Sequence, residues 1–259
     1  MKHIFCVLAY KESPYLDECI TSLLSQKLKS EIIICTSTPN AHINSVASKY
    51  HIHVIVNEHK GGIASDWNFA IQSAKSDYVT LVHQDDIYSD KYTTELAKMM
   101  DSNTIIFFTN YGEIVNNKKI KFSPLLLIKR AMLFLPYYFS KVVSTYFYKS
   151  LPLKLGNPIC CPSVTYNLNK MPNFRFQEKY KFVLDWHGWY MLSKYKGTFC
   201  YSSKILVYHR IHDGSETTKS IKDNFRANEE LEMFTLIWGR FIANLIMNLY
   251  KFGHLLNKR

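Results

Sequence analysis

Two adjacent carboxylates, Asp85 and Asp86, follow the β-rich run Tyr78–His83 with only Gln84 between. Carboxylate oxygens are the usual ligands of hard divalent cations, and a cation held by one or two of them neutralises a diphosphate in the ordinary way. By spacing alone, an Asp-Asp turn that caps the next helix is the simpler reading. Upstream, the segment from Asn57 to Asn68 contains the pair Gly61-Gly62, which opens a helix whose first amides could approach a phosphate or a sugar. Its plain alternative is a tight loop with Asp66 as a helix cap. Asp185, in Phe182–Trp189, reads on its own as an N-cap or a surface charge. His209, Arg210 and His212 gather in a polar stretch, His209–Ser215. An arginine in a mobile loop suits diphosphate recognition through its fork geometry, whereas histidines in polar loops usually bind nothing.

The Asp pair is useful for chemistry only at the carboxyl edge of a parallel strand, where open α/β sheets bind their ligands. Short β-rich runs recur at His3–Ala9, Glu31–Cys35, Ile52–Val56, Tyr78–His83 and Thr104–Thr109, separated by helical segments, so the pattern predicts a mostly parallel sheet with crossover helices. The first helix is predicted to start at Ser13-Pro14 and to place Leu16, Cys19, Ile20, Leu23 and Leu24 on one face. No glycine follows the first strand in Tyr10–Pro14, which excludes both the dinucleotide fingerprint and the Walker A loop at that position. After Asn110 the rhythm changes. Phe122–Leu151 reads as one or two basic, aromatic-rich helices broken at Pro136. A loop or short strand near Gly156–Pro162, a helix near Asp185–Lys194, a strand near Thr198–Tyr208 and a helical tail follow.

The 259 residues carry 32 Lys+Arg against 21 Asp+Glu, a net +11, but the excess is local. Residues 1–113 hold nine basic and thirteen acidic side chains, net −4. From Ile114 to Gln177 there is no acid and ten cations: Lys118, Lys119, Lys121, Lys129, Arg130, Lys141, Lys149, Lys154, Lys170 and Arg175. Met233–Arg259 repeats the asymmetry among apolar residues. Such stretches favour an anionic partner. The cysteines lack metal-ligand spacing, the N-terminal apolar run is interrupted by Lys11 and Glu12, and no window reaches the ~18 apolar residues of a membrane span. A cytoplasmic protein is expected, with peripheral contact on the inner face of the plasma membrane.

The ordered set of segments resembles the inverting glycosyltransferases of family 2, which have the GT-A fold. The resemblance covers most of residues 1–215: a first strand running into Ala9-Tyr10, the glycine-pair segment ending in Asn68, the D-x-D-like strand end, the acidic segment at Asp185, and Arg210-Ile211-His212 in place of an Arg-x-His loop. Asn157–Ser163 occupies the place of the segment that shapes the acceptor pocket. Three departures stand out. His83 replaces the first carboxylate of D-x-D, leaving Asp85 as metal ligand and Asp86 as second ligand or helix cap. Thr36-Ser37-Thr38-Pro39-Asn40 replaces an acidic strand-2 signature, and Trp67 replaces a basic residue, so that Asp66 takes over a ribose contact.

The resemblance implies a Mg²⁺- or Mn²⁺-dependent hexosyltransferase. It would move a sugar from a nucleoside diphosphate sugar, UDP being expected, to a hydroxyl of a glycan or polyprenyl-linked acceptor in surface-polysaccharide synthesis. Asp185 is the expected general base, and Asp85, Asp86 and His212 are the expected metal ligands. Donor contacts are expected from Ala9, Tyr10, Glu12, Thr36, Gly62, Asp66, Asn68, Gln84 and Arg210. The expected organisation is a GT-A domain over 1–215, with a nucleotide-sugar half (1–113) and an acceptor half (114–215) carrying a helical insertion near 122–151. A helical tail, 216–259, would serve as core packing or as a homodimer face. Two other classes compete: a sugar-nucleotide nucleotidyltransferase, which lacks its Gly-rich basic loop here, and a non-catalytic polyanion- or membrane-binding protein. No signal for nucleic-acid binding is present.

Overall fold

The computed structural model describes residues 2–59, 61–212 and 224–256, with side chains of the last segment described over 226–248. Strand β1 (His3–Leu8) is buried almost throughout because both of its faces are covered. Ile4 and Cys6 join Ala64, Trp67, Ala70 and Ile71 of α3 (Ile63–Ser73) in one core cluster. Phe5 and Val7 join Leu16, Cys19, Ile20 and Leu23 of α1 (Leu16–Leu24) in a second. Strands β2 (Glu31–Thr36), β3 (His53–Val56) and β4 (Tyr78–His83) extend the sheet in parallel, with α2 (Ala41–Lys49) between β2 and β3. Their carboxyl ends therefore share one edge.

The chain continues through β5 (Ile87–Tyr88), α4 (Tyr92–Met99), β6 (Thr104–Val115), β7 (Lys118–Ile120), α5 (Pro124–Tyr137), β8 (Val142–Val143), α6 (Tyr146–Leu155), β9 (Thr165–Asn167), α7 (Leu184–Leu192), β10 (Thr198–Ile211), α8 (Asn224–Trp238) and α9 (Arg240–Leu256). Among the described residues the strands form one ten-stranded sheet in the order β3-β2-β1-β4-β9-β6-β10-β5, with β7 beside β6 and β8 beside β10. This is the mostly parallel α/β sheet expected from sequence. Its main irregularity is β9, which lies antiparallel to both β4 and β6. The long β10 runs parallel to β6, and its far end pairs with β5 just after the β4 turn. That pairing delivers His209 and Arg210 to the edge where β4 ends.

Several boundaries differ from the sequence reading. Helix α1 starts at Leu16 because Ser13 and Pro14 form a preceding turn in which Ser13 Oγ accepts from Tyr15 N, and Leu24 is exposed. Strand β6 continues past Thr109 to Val115. His209–Ile211, expected in a loop, are the last residues of β10, and Asp213–Ser215 lie outside the described residues. Helix α5 starts where Ser123 Oγ accepts from Leu126 N with Pro124 at the first helical position, and it ends one residue after Pro136. In the tail, the residues that enter the core are Met233, Phe234, Ala243 and Met247; of the apolar residues expected to serve as core or as a dimer face, Phe241 and Leu245 are exposed. The side chain of Leu249 lies outside the described residues. All six cysteines are free and buried, and among the described residues no helix is long and apolar enough to cross a membrane.

His3 ties the first strand to its neighbours. Its ring nitrogens lie 2.8 Å from Ser30 Oγ and 2.8 Å from Thr80 Oγ, and burial pulls its pKa down to about 3. A depressed folded-state pKa means that the unfolded chain takes up this proton first. The stability it supplies is full above the ordinary histidine range near 6.5 and is lost as pH falls towards about 3, with a limiting slope of about 1.4 kcal/mol per pH unit. Urea unfolding between neutral pH and the mid-acid range should show His3→Gln losing less stability on acidification than the wild type, by up to one proton's linkage. Identical pH slopes would contradict this.

Candidate active site

The carboxyl edge of β1–β4 is built from interlocked turns. Ala9 N donates to Cys35 O (3.0 Å), holding the end of β1 against β2. The Gln84 side chain accepts from Tyr10 N (3.0 Å) and donates to Tyr10 O (2.9 Å), locking the end of β1 to the β4 turn. Tyr10 itself is exposed, and so is Glu12. The β2 end makes its own network: Thr36 Oγ accepts from Thr38 N, and Thr38 Oγ accepts from Lys11 N. Asn40, which replaces part of an acidic signature, caps α2 by accepting from Ile43 N. Asp66 lies in the first turn of α3, where its two oxygens accept from Ser37 Oγ (3.0 Å) and Asn57 Nδ2 (2.9 Å). It braces the β2 and β3 ends. Gly62 precedes α3 with φ +84°, a backbone conformation that disfavours other residues.

Asn68 is placed differently from expectation. It is buried, its amide nitrogen donates to Phe176 O (2.9 Å) and its oxygen accepts from Phe176 N (2.8 Å). Both ends of the amide are thus occupied in pinning the 174–178 segment onto α3. A cavity of about 500 Å³ lies beside it, lined in part by Asn57, His59, Ser65 and Glu178. The cavity includes none of Asp85, Asp86 or Asp185.

At the end of β4, Asp86 N donates to His83 O, closing a turn that sends the two carboxylates in different directions. Asp86 is fully buried, and its Oδ1 accepts from Arg210 N (2.9 Å) and from His209 Nδ1 (3.0 Å). Burial pulls the His209 pKa down, but the charge and hydrogen bond of Asp86, with Asp85, more than offset it and raise it to about 9. His209 is therefore protonated at neutral pH and paired with Asp86. The other oxygen, Asp86 Oδ2, is buried without a hydrogen-bond partner, 3.7 Å from His83 Nδ1. Asp85, near the surface, faces His212, with Asp85 Oδ2 and His212 Nε2 3.0 Å apart.

Arg210 occupies a strand rather than a mobile loop. Its guanidinium donates to Asp85 O (3.0 Å), Asn117 Oδ1 (3.2 Å) and Glu18 Oε2, and lies over the Tyr15 ring at 4.3 Å. It is only 4% exposed, so the fork expected to meet a diphosphate is spent within the protein.

Asp185 sits in the first turn of α7, where its oxygens accept from Trp186 N (2.6 Å) and Asn157 Nδ2 (3.1 Å). Burial raises its pKa above the ordinary aspartate value; those two hydrogen bonds and the charges of Lys129 and His83 oppose the shift without cancelling it. The Cys160 thiol is pushed up by burial and then by Asp86 and, more weakly, Asp185, so the Cys160-Cys161 stretch borders both carboxylates.

Sequence reasoning missed the inward pairing of His209 and the roles of His83, Asn157 and Lys129 around the carboxylates. Among the described residues, His83, Asp86 and His209 form a cluster whose ligand atoms lie within 4.8 Å of one another. Two donor sets thus meet at one turn, and both fit a divalent cation in chemistry: the Asp85–His212 pair at the rim and the inner cluster with its orphaned Asp86 oxygen.

Residues 4–169 match the model of the family described as glycosyl transferase family 2. A curated relative, glycosyltransferase GlyG of Streptococcus pneumoniae, is 28% identical over 118 residues, spanning 42% of this chain and 39% of that protein, well under two thirds of its length. Among solved structures, S. aureus TarS 1-349 in complex with UDP-GlcNAc superposes with TM-score 0.62 at 17% identity, covering 95% of this chain and 70% of that one. The mannosyltransferase PcManGT from Pyrobaculum calidifontis, in complex with GDP-Man and Mn²⁺, gives TM-score 0.59 at 12% identity, covering 90% and 63%. At such identities the likeness shows the fold, which is GT-A.

The Asn68 contacts predict a structural effect. Asn68→Ala leaves the Phe176 N–H and C=O without buried partners, so the variant should lose roughly 2–4 kcal/mol of stability in urea unfolding. A loss below about 0.5 kcal/mol would mean that the amide is not holding this segment.

Proposed function

The chain belongs to glycosyltransferase family 2, and from that premise we propose that it transfers a sugar from a UDP-sugar to a hydroxyl of a glycan or lipid-linked acceptor, with inversion, in surface-polysaccharide synthesis. The observation that carries this reading is the contrast between two carboxylates: Asp85 at the rim against His212, and Asp185 with its pKa raised by burial. A carboxylate whose pKa is raised is a better proton acceptor, and one at the rim with a histidine facing it offers the donor types that suit a cation.

Asp185 takes the proton from the acceptor hydroxyl, and Asn157 and the Trp186 amide hold its oxygens in place for that transfer. Asp85 and His212 would hold Mg²⁺ or Mn²⁺, which when bound supplies positive charge against the leaving diphosphate. Asp86 serves as an anchor rather than a ligand, and Arg210 and Gln84 are positioning residues that fix the Asp85 backbone and the β1 end. The Tyr10 ring is available to stack on the nucleotide base. Asp66 orients Ser37 toward the ribose end, while Ala9, Thr36 and Gly62 shape the backbone around it. In this scheme residues 1–113 form the nucleotide half, 114–215 the acceptor half, and 216–259 a helical tail.

Three outcomes test the reading. A panel of nucleotide sugars with Mn²⁺ should contain one whose binding raises the melting temperature and whose sugar reaches an acceptor; no shift with any member would contradict the proposal. Asp185→Asn should keep donor affinity and lose about 10²–10⁴-fold in kcat, and in the wild type kcat/KM should fall with acidification at a pH above the ordinary aspartate range, since the base must be ionised. Asp85→Ala should abolish metal-dependent nucleotide binding in calorimetry while Asp185→Asn retains it; unchanged affinity would remove Asp85 from the metal site.

A further inference from the structure

Helix α5 has two unlike sides. Leu126, Leu133, Pro136 and Tyr137 are buried, while Phe134, Leu135 and Tyr138 face outward and Phe139, just past the helix end, is 94% exposed. The apolar exposure continues beyond this helix. Helix α6 packs against α5 and exposes Phe147. The C-terminal pair is joined to α6 where Trp238 Nε1 donates to Lys154 O (2.9 Å), and it exposes Phe241 at 79% and Leu245. Phe134, Tyr138 and Phe139 touch ring to ring, and an exposed apolar patch of this kind marks an interaction site.

Charge identifies the partner. Lys118, Lys119, Lys121 and Lys141 are exposed beside α5 within the acid-free stretch 114–177. Three other cations of that stretch are turned inward: Lys129 Nζ donates to Tyr111 Oη, Arg130 donates to Asn110 Oδ1, Tyr111 O and Lys121 O, and the buried Lys149 donates to Tyr195 O and Gly197 O. A second copy would oppose this basic surface with itself, a like-charge juxtaposition. Aromatic and aliphatic side chains flanked by lysines are the composition that binds the headgroup region of an anionic bilayer.

We infer that the outer faces of α5, α6 and the α8–α9 pair form one surface that docks on an anionic lipid bilayer. The inference does not rest on the transfer chemistry, but it deepens the acceptor reading. The inner side of α5 carries Lys129, whose charge acts on Asp185, so the helix that docks is also the one linked to the proposed base.

The full chain, without nucleotide, is sedimented with vesicles of phosphatidylcholine plus phosphatidylglycerol and with vesicles of phosphatidylcholine alone. Binding should favour the anionic vesicles and weaken as salt shortens the Debye length from about 10 Å to about 3 Å. The combined Lys118→Glu, Lys121→Glu and Lys141→Glu variant should bind at least about fivefold more weakly. Leu135→Ser with Phe139→Ser should also lose binding with an unchanged circular dichroism spectrum and melting temperature, because both side chains are solvent-facing. Equal sedimentation with both vesicle types, or none with either, overturns the inference. So does a dimer in analytical ultracentrifugation that the Leu135→Ser, Phe139→Ser variant dissociates, which would make this an interface between copies. Since donor binding is measured separately, loss of this inference leaves the transferase reading standing.

Discussion

The buried carboxylate of Asp86 is the constraint on which the site depends. A charge removed from water must find partners, and Asp86 finds them on the end of β10, at Arg210 N and the protonated His209 ring. Arg210 then turns its guanidinium back onto Asp85 O and Glu18, so the turn after β4 is held by β10 from one side and by α1 beyond it. Gln84 adds a third tie, to Tyr10 at the end of β1. With Asp86 directed inward, its neighbour is directed outward. Adjacent residues that look equivalent in the chain thus acquire opposite environments, and only Asp85 is left facing His212 near solvent.

The same logic separates the cations. Lys129 and Arg130 belong to the stretch that gives the chain its basic character, yet their heads are turned inward, Lys129 to Tyr111 Oη and Arg130 to Asn110 Oδ1 and the carbonyls of Tyr111 and Lys121. The lysines that remain exposed lie beside an apolar face that no described element covers. Helix α5 therefore links two regions: its inner cation tunes the environment of the base, and its outer side chains meet whatever approaches from solvent. Asp185 itself is kept basic by desolvation and kept oriented by Asn157 and the Trp186 amide.

Much of this was legible in the chain before its fold was known, and the illegible parts share a cause. β1 through β4 were readable because each is a short run of apolar and β-branched residues between helical segments, whereas the carboxylate pair at the end of β4 read by spacing alone as a capping turn and gained its functional reading from the ordered set of segments. The general-base role proposed for Asp185 came from the family resemblance and not from the residues themselves. What local pattern could not supply were partners more than a hundred residues away. Asn68 looks like a ligand-binding residue until Phe176 occupies both ends of its amide, and Arg210 looks like a loop residue until β10 pairs with β5. The antiparallel β9 was missed because three residues carry too little periodicity to register. The tail was amphipathic as expected, but packing selected Met233, Ala243 and Met247 over Phe241 and Leu245.

The central claim is that Asp86 is an anchor and Asp85 the ligand-facing carboxylate. The most direct measurement is the anomalous diffraction of Mn²⁺ in crystals grown with UDP. The account predicts a manganese peak within bonding distance of Asp85, with Asp86 still accepting from Arg210 N and His209. A peak bonded to His83, Asp86 and His209 instead, with the Asp86–Arg210 contact broken, would contradict it.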